Sequence, residues 1–413
     1  MIFKSAISKI YMDLPLSLIL VFSLITGLLS MGLPNRGHAN SLPQLPAEVE
    51  TGLTHLLALC ASEQEAREVD LEKISAVAAF VRSASEMGTG TPQERDHSKG
   101  SYIAYSIARS LPEIIRYTYN HRIPEGAINP SSVNYSYWKE LPGSAKILPD
   151  IWKSLDVFSE PLFARGVRRE SIAPDLHTGA YYEYDLQRAF IIYRQGTMRV
   201  VVSLSNQLGD SEVGRKGFIV GNDQDWNYLY TQAEGLNKSG LGWVKSKIYS
   251  FRSVCFYVED SARPGAVRIG VFQWLGAGWA GINLVDSHHI RNGLERYAKG
   301  LKGMLESERM PDARTLEHVY AALNKTQEDV LREKALDITR HIKRKAEQDH
   351  ALREKGAIKE MNETDYVARL DKERLVSMLM REFVKYSLGK ETPLSSSFWL
   401  ALKDVIIPEQ PFS

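Results

Sequence analysis

Ala189-Phe190-Ile191-Ile192-Tyr193-Arg194-Gln195-Gly196-Thr197-Met198-Arg199-Val200-Val201-Val202-Ser203-Leu204 is the stretch that decides the fold. Residues 189–194 form a short apolar run, Gln195-Gly196 makes a turn, and Met198, Val200, Val202 and Leu204 share one face at a strand's period of two. The same period holds from Gly179 to Trp274. Tyr182 and Tyr184 alternate with charged neighbours. Further strands are expected at Phe218 to Val220, Trp226 to Tyr230, Trp243 to Tyr249, Val254 to Val258, and Val267 to Trp274 after the Arg263-Pro264-Gly265 turn. Their links are too short for the crossover that a parallel pair needs, so the pairing is antiparallel, a meander of six or more strands.

The period changes on both sides. From Pro46 to Met87, Leu53, Leu56, Leu57 and Cys60 make one helical stripe, and Leu71, Ile74, Val77, Ala78 and Val81 make another. Residues 88–100 are polar and turn-rich, and a third helix is expected from Ser101 through Ile103, Ile107 and Ala108, broken near Pro112. Residues 121–160 lack a clear period and suggest irregular chain around a short helix. After Gly281 helices return. One carries Ile290, Leu294 and Leu301 behind an Asp286-Ser287 cap. The charged segment Gln327 to Lys355 has a narrow seam of Leu331, Ala335, Ile338 and Ile342, as in a helix that packs on one partner. The last helix bears Val367, Leu370, Leu375, Leu379 and Phe383. The class is α+β: a central antiparallel, aromatic-rich β-sheet flanked by N-terminal and C-terminal helical regions. The expected divisions are a signal peptide or N-terminal anchor over 1–39, a helical region over 40–160, a sheet domain closed by a helix over 161–308, and a helical region over 309–413.

The chain has 413 residues, 44% apolar and 24% charged, with Lys+Arg 51 against Asp+Glu 50. This excludes disordered, collagen-like and multi-span membrane classes, and the balanced charge argues against nucleic acid as a partner. Lys4 and Lys9 precede an uncharged run over residues 14–33, and Gly37 and Ala39 stand where a signal peptidase needs small side chains. Cleavage after Ala39 is expected, and with it export to the periplasm or cell envelope. A membrane is involved only if the segment stays uncleaved as an anchor. Cys60 and Cys255 can make at most one disulfide, which such a compartment permits.

Four constellations bear on chemistry. Gly276-Ala277-Gly278-Trp279-Ala280-Gly281 matches the dinucleotide-binding spacing, but follows an antiparallel strand and carries a bulky Trp279, so a tight strand-to-helix bend is the better reading. Asp223, Asp225 and Asn227 alternate, and Glu234 stands at the twelfth place of a calcium loop, although Tyr228 occupies the position that needs glycine. Calcium is therefore the one cofactor considered. His288 and His289 follow Asp286; adjacent histidines on a helix diverge by about 100°, which disfavours a shared metal. Trp226, Tyr228, Trp243, Trp274 and Trp279 are the candidate ligand-contacting aromatics of the sheet region.

The residues Ser205-Asn206-Gln207, Gly214-Arg215-Lys216-Gly217, Asp225-Trp226, Gly240-Leu241-Gly242-Trp243-Val244, Gly278-Trp279 and His288-His289-Ile290 resemble an uncharacterised family of exported bacterial proteins, over about residues 180 to 300. That resemblance implies export and brings no known chemistry. A curved antiparallel sheet closed by a long helix is also similar in outline to the lipid-binding START-like fold, at the level of fold alone. The leading expectation is a periplasmic or envelope-associated binding protein that takes an apolar small molecule between the sheet and the following helix. The alternatives are a hydrolase-type enzyme with a site near Asp223, Asp225, His288 and His289, and a structural or assembly protein that meets an envelope partner through the Gln327 to Lys355 helix.

Overall fold

The computed structural model describes residues 43–61, 69–143, 150–156, 158, 161–238, 242–260 and 262–404; the export segment expected over 1–39 lies outside them. Helices α1 (Ala47–Ala61) and α2 (Leu71–Ser83) come first, and the Asp70 carboxylate caps α2 by accepting from the Glu72 and Lys73 amides. Gly52 lets the two helices touch, since a Cβ there would lie 2.5 Å from Val77 Cγ2. The chain then forms β1 (Gly88–Gly90) and β2 (Lys99–Ile107), crosses through α3 (Leu111–Tyr119) and α4 (Glu125–Ile128), and enters β3 (Val133–Gly143), β4 (Leu162–Ile172), β5 (Ala180–Tyr181), β6 (Glu183–Gln195) and β7 (Met198–Gln207). An excursion of short strands follows: β8 (Arg215–Ile219), β9 (Tyr228–Glu234), β10 (Leu236–Lys238) and β11 (Gly242–Val244). The long strands β12 (Lys247–Glu259) and β13 (Val267–Trp279) and the short β14 (Ile282–Asn283) complete the strand set.

The main sheet runs β1-β2-β13-β12-β7-β6-β4-β3, with β14 on β13, and each pairing is antiparallel. Of the meander expected between Gly179 and Trp274, β6, β7, β12 and β13 lie side by side in this sheet, whereas the strands expected at 218–220 and 226–230 leave it for a separate one, and β3, β4 and β2 extend the main sheet at its two edges. Gln195 pairs with Met198 around a two-residue loop in which Gly196 has φ +62°, a value that favours glycine. β5, β8 and β9 form a separate three-stranded sheet.

Both faces of the main sheet are covered, which is why its central strands read as continuous apolar runs. Ile191, Val202, Phe256 and Phe272 point to the face under α1 and α2, while Phe190, Val201, Tyr257 and Ile269 point to the opposite face. There α5 (Ser287–Leu305) lies on β2 and β13 with Ile290, Leu294, Ala298 and Leu301 buried. The remaining helices are α6 (Ala313–Lys325), α7 (Glu328–Gln348), α8 (Gly356–Lys359), α9 (Glu363–Ala368), α10 (Lys372–Ser387) and α11 (Ser396–Asp404). No helix among the described residues is long and apolar enough to cross a membrane.

Several expectations are corrected. The helix expected from Ser101 is strand β2, because the four-residue spacing of Ile103 and Ile107 satisfies both periods while Tyr105 between them points to the same side. With β3 in the irregular stretch, the segment 40–160 is not simply helical: it supplies β1, β2 and β3. The seam of Leu331, Ala335, Ile338 and Ile342 on α7 is buried within this chain, where α7 meets α9, α10 and β9. It is therefore no free stripe for a partner. Cys60 packs under α1 on one face of the sheet and Cys255 points to the other, so the sheet stands between them and both thiols are free.

Candidate functional site

The aromatics expected to line a groove are not gathered. Trp274 is fully buried in the core, its indole N–H donating to Gln93 O at 2.7 Å, whereas Trp279 is 40% exposed at the far end of the same strand. Trp226 and Tyr228 line a cavity of only about 20 Å³, room for one water at most, and the side chain of Trp243 lies outside the described residues. Between the sheet and α5, Ile290, Leu294, Ala298 and Leu301 are buried in one apolar cluster with Ile103, Tyr105, Ile269 and Val271 of the strands.

The calcium loop does not form. Asp223 and Asp225 sit in a 3-10 turn (Asp223–Asp225), and Asp223 is bound by Arg296, whose Nε donates at 2.9 Å, and by the Tyr228 hydroxyl at 2.8 Å. Asn227 accepts from Lys385 Nζ at 2.9 Å. Glu234 closes strand β9 and pairs with Lys245 at 3.0 Å. An extended strand advances about 3.3 Å per residue, which carries Glu234 roughly 23 Å from Asn227.

Nor does the hydrolase constellation converge. Arg296, which holds Asp223, lies eight residues beyond His288 on α5, about 12 Å along a helix. His288 and His289 do lie side by side, ring centroids 3.9 Å apart, because both turn to Asp286, and the donor atoms of all three fall within 4.8 Å. All three are exposed, and Asp286 is engaged in capping α5 by accepting from the His288 and His289 amides. The glycine motif is a hairpin: Gly276 and Gly278 lie within β13, and Ala280 and Gly281, both at positive φ, turn the chain into β14. This replaces the bend expected from sequence.

A cavity of about 280 Å³ lies between the sheet and the C-terminal helices. One wall comes from strands: Asn134 and Tyr135 on β3, Tyr181 on β5, Glu183 at the start of β6, Arg215 on β8 and Gln232 on β9. The facing wall is Tyr366 on α9, then Arg369 and Leu370, then Arg374, Met378 and Arg381 on α10. Positions 374, 378 and 381 are spaced four and three apart, so they form one stripe of the helix. Asp371 caps α10, accepting from the Arg374 amide at 2.9 Å, and so sets the stripe's angle to the cavity.

Four arginines and one carboxylate line this space. Glu183 accepts from Arg374 at 3.0 Å, Arg169 at 3.3 Å and Arg215 at 3.4 Å, and Arg374 also lies over the Tyr135 ring, 4.6 Å from its centroid. Arg381 is different. It is 6% exposed, its Nη2 makes only a 3.5 Å contact with Asn134 Oδ1, and its Nη1 is buried with no partner among the described residues. The next residue, Glu382, turns to Lys385 at 3.2 Å instead. Burial works against the Lys385 charge and, although Glu382 opposes this, holds its pKa below the ordinary 10.5. Arg369 stands exposed at the mouth with no side-chain partner among the described residues. The hydroxyls of Tyr135 and Tyr230 are buried beside Glu183 and Arg381 respectively, and neither meets a partner in good hydrogen-bonding geometry among the described residues. Burial, then the nearby Glu183 carboxylate, pushes the Tyr135 hydroxyl up; burial does the same to Tyr230, with Arg381 beside it offsetting part. The arrangement offers donors and positive charge to a small guest. Sequence reading missed it because an arginine stripe on a helix ordinarily faces water; the signal was the spacing of Arg374, Met378 and Arg381 beside the apolar stripe.

Compared with known proteins, the chain matches no family model and no curated protein.

Proposed function

We propose that the protein is an exported bacterial ligand-binding protein of the periplasm or cell envelope, and that its ligand occupies the cavity between the β3 side of the sheet and helices α9 and α10. The observation that carries this reading is the cavity itself: about 280 Å³, near the lower end of small-molecule sites, with polar groups facing each other across an apolar interior of Leu370 and Met378. The buried Tyr135 hydroxyl at its wall supports it, since such a group is normally satisfied by protein, water or ligand. The charge pattern of residues 1–39 and the resemblance to exported bacterial proteins support the compartment.

The test is native mass spectrometry on the full chain expressed in a bacterium and recovered from its envelope fraction. A defined extra mass, lost when Met378→Trp fills the cavity, is the expected result. Recovery in the cytoplasm with residues 1–39 intact removes the export part of the proposal; a bare chain that takes up no small molecule removes the binding part.

A further inference from the structure

The cavity's charge says what kind of guest it takes. Of its four arginines, Arg215 is paired with Glu183 and Glu212, and Arg374 with Glu183 and Asp371. Among the described residues Arg381 forms no ion pair, its neighbour Glu382 turning to Lys385, although Arg381 is only 6% exposed. A buried guanidinium is tolerated when its charge and its N–H groups are met, and an unpaired one is strongly destabilising. Arg381 Nη1 lacks a hydrogen bond at the boundary of two neighbouring cavities, the larger of about 280 Å³ and the smaller of about 20 Å³. Arg369, with no side-chain partner among the described residues, adds a second cation to the lining, and the Tyr135 hydroxyl can donate from the strand wall. Between these polar points lie Tyr181, Tyr366, Leu370 and Met378, which suit an apolar body.

Resting on the binding reading above, we infer that the ligand is a small organic oxyanion, an apolar body with a carboxylate or phosphate head seated on Arg381. The guanidinium's free N–H completes its hydrogen bonding on an anionic oxygen, and the head supplies the negative charge that the protein withholds there. Arg369 draws the anion to the mouth; Arg215, Arg374 and Glu183 form a closed cluster that shapes the wall without competing for the guest.

The test is calorimetric titration of the full chain with benzoate, phenyl phosphate and the neutral benzyl alcohol. At least one oxyanion is expected to bind at least ten-fold more tightly than the alcohol, and the better of the two identifies the head group. Arg381→Gln is expected to weaken that oxyanion about ten- to hundred-fold, in keeping with a lost charge-assisted hydrogen bond, and to leave the alcohol unchanged. Arg369→Gln, at an exposed position whose side chain has no polar partner among the described residues, is expected to weaken it several-fold and decides the matter if the Arg381 variant does not fold. Equal affinity for benzyl alcohol, or oxyanion affinity untouched in both variants, overturns the inference. A neutral molecule found in the cavity by native mass spectrometry overturns it while sparing the binding reading; no extra mass and no binding of any probe removes both.

Discussion

Arg374 Nη2 donates to Glu183 Oε2 at 3.0 Å, tying helix α10 to the first residue of β6 across 191 positions of sequence. Because Arg169 and Arg215 hold the same carboxylate, one acid keeps three guanidiniums together at the cavity wall. Glu183→Gln is expected to destabilise the fold by about 1.5–3 kcal/mol, the usual loss of a hydrogen bond to a charged group, since Asp185, Glu212 and Asp371 still meet the three guanidiniums. Urea unfolding measures it, and an unchanged midpoint would show that α10 is held by packing alone.

Arg116 grips both oxygens of Glu317 at 2.9 Å each and joins α3 to α6. Burial by itself would raise the Glu317 carboxyl, but Arg116 and Asn120 outweigh it and hold the pKa below the ordinary 4.5. A carboxyl depressed in the folded state contributes stability that is fully present above its ordinary value and lost as the pH falls through the folded value. Glu317→Gln should therefore lower stability at neutral pH and flatten the acid limb of the stability curve. The same acid limb in variant and parent would contradict this.

Asp223 serves Arg296 rather than a cation, so millimolar calcium or a chelator is expected to leave Tm unchanged. Asp223→Ala should instead cost about 1.5–3 kcal/mol by stranding a largely buried guanidinium. A calcium-dependent rise in Tm that disappears in the Asp223 variant would restore the cation site.

Cys60 and Cys255 lie on opposite faces of the sheet, and burial pushes each thiol up to about 12. A thiol reagent is expected to label neither in the folded protein and both after unfolding without reductant. Labelling of none after unfolding would mean that they had paired.

Leu331 is fully buried under α7, whereas its neighbour Val330 is exposed. Leu331→Ala should lose about 2–5 kcal/mol and Val330→Ala less than about 0.5 kcal/mol, read by chemical denaturation. Equal, small effects would mean that the seam is not packed inside this chain.

The centre of the fold was legible because it is written locally. In residues 189–204 strand period, turn glycine and apolar runs coincide within sixteen positions, and that hairpin forms as read. β2 was not, since Ile103 and Ile107 are spaced as both a helix and a strand allow, and only pairing with β13 resolves the choice. The aromatic and acidic candidates failed for a related reason: alternation along β9 sends Asn227 and Glu234 to distant partners, which spacing alone does not reveal.

The sequence by itself determined the α+β class, the antiparallel core and the helices around it, because hydrophobic period is a property of neighbours along the chain. Only the tertiary structure decided where a guest can sit. The cavity needs Tyr135 and Glu183 on strands and Arg374 and Arg381 on a helix about two hundred residues later. Whether an arginine is a solvated surface charge or a buried, unpaired donor depends on what folds over it, and no local pattern carries that information.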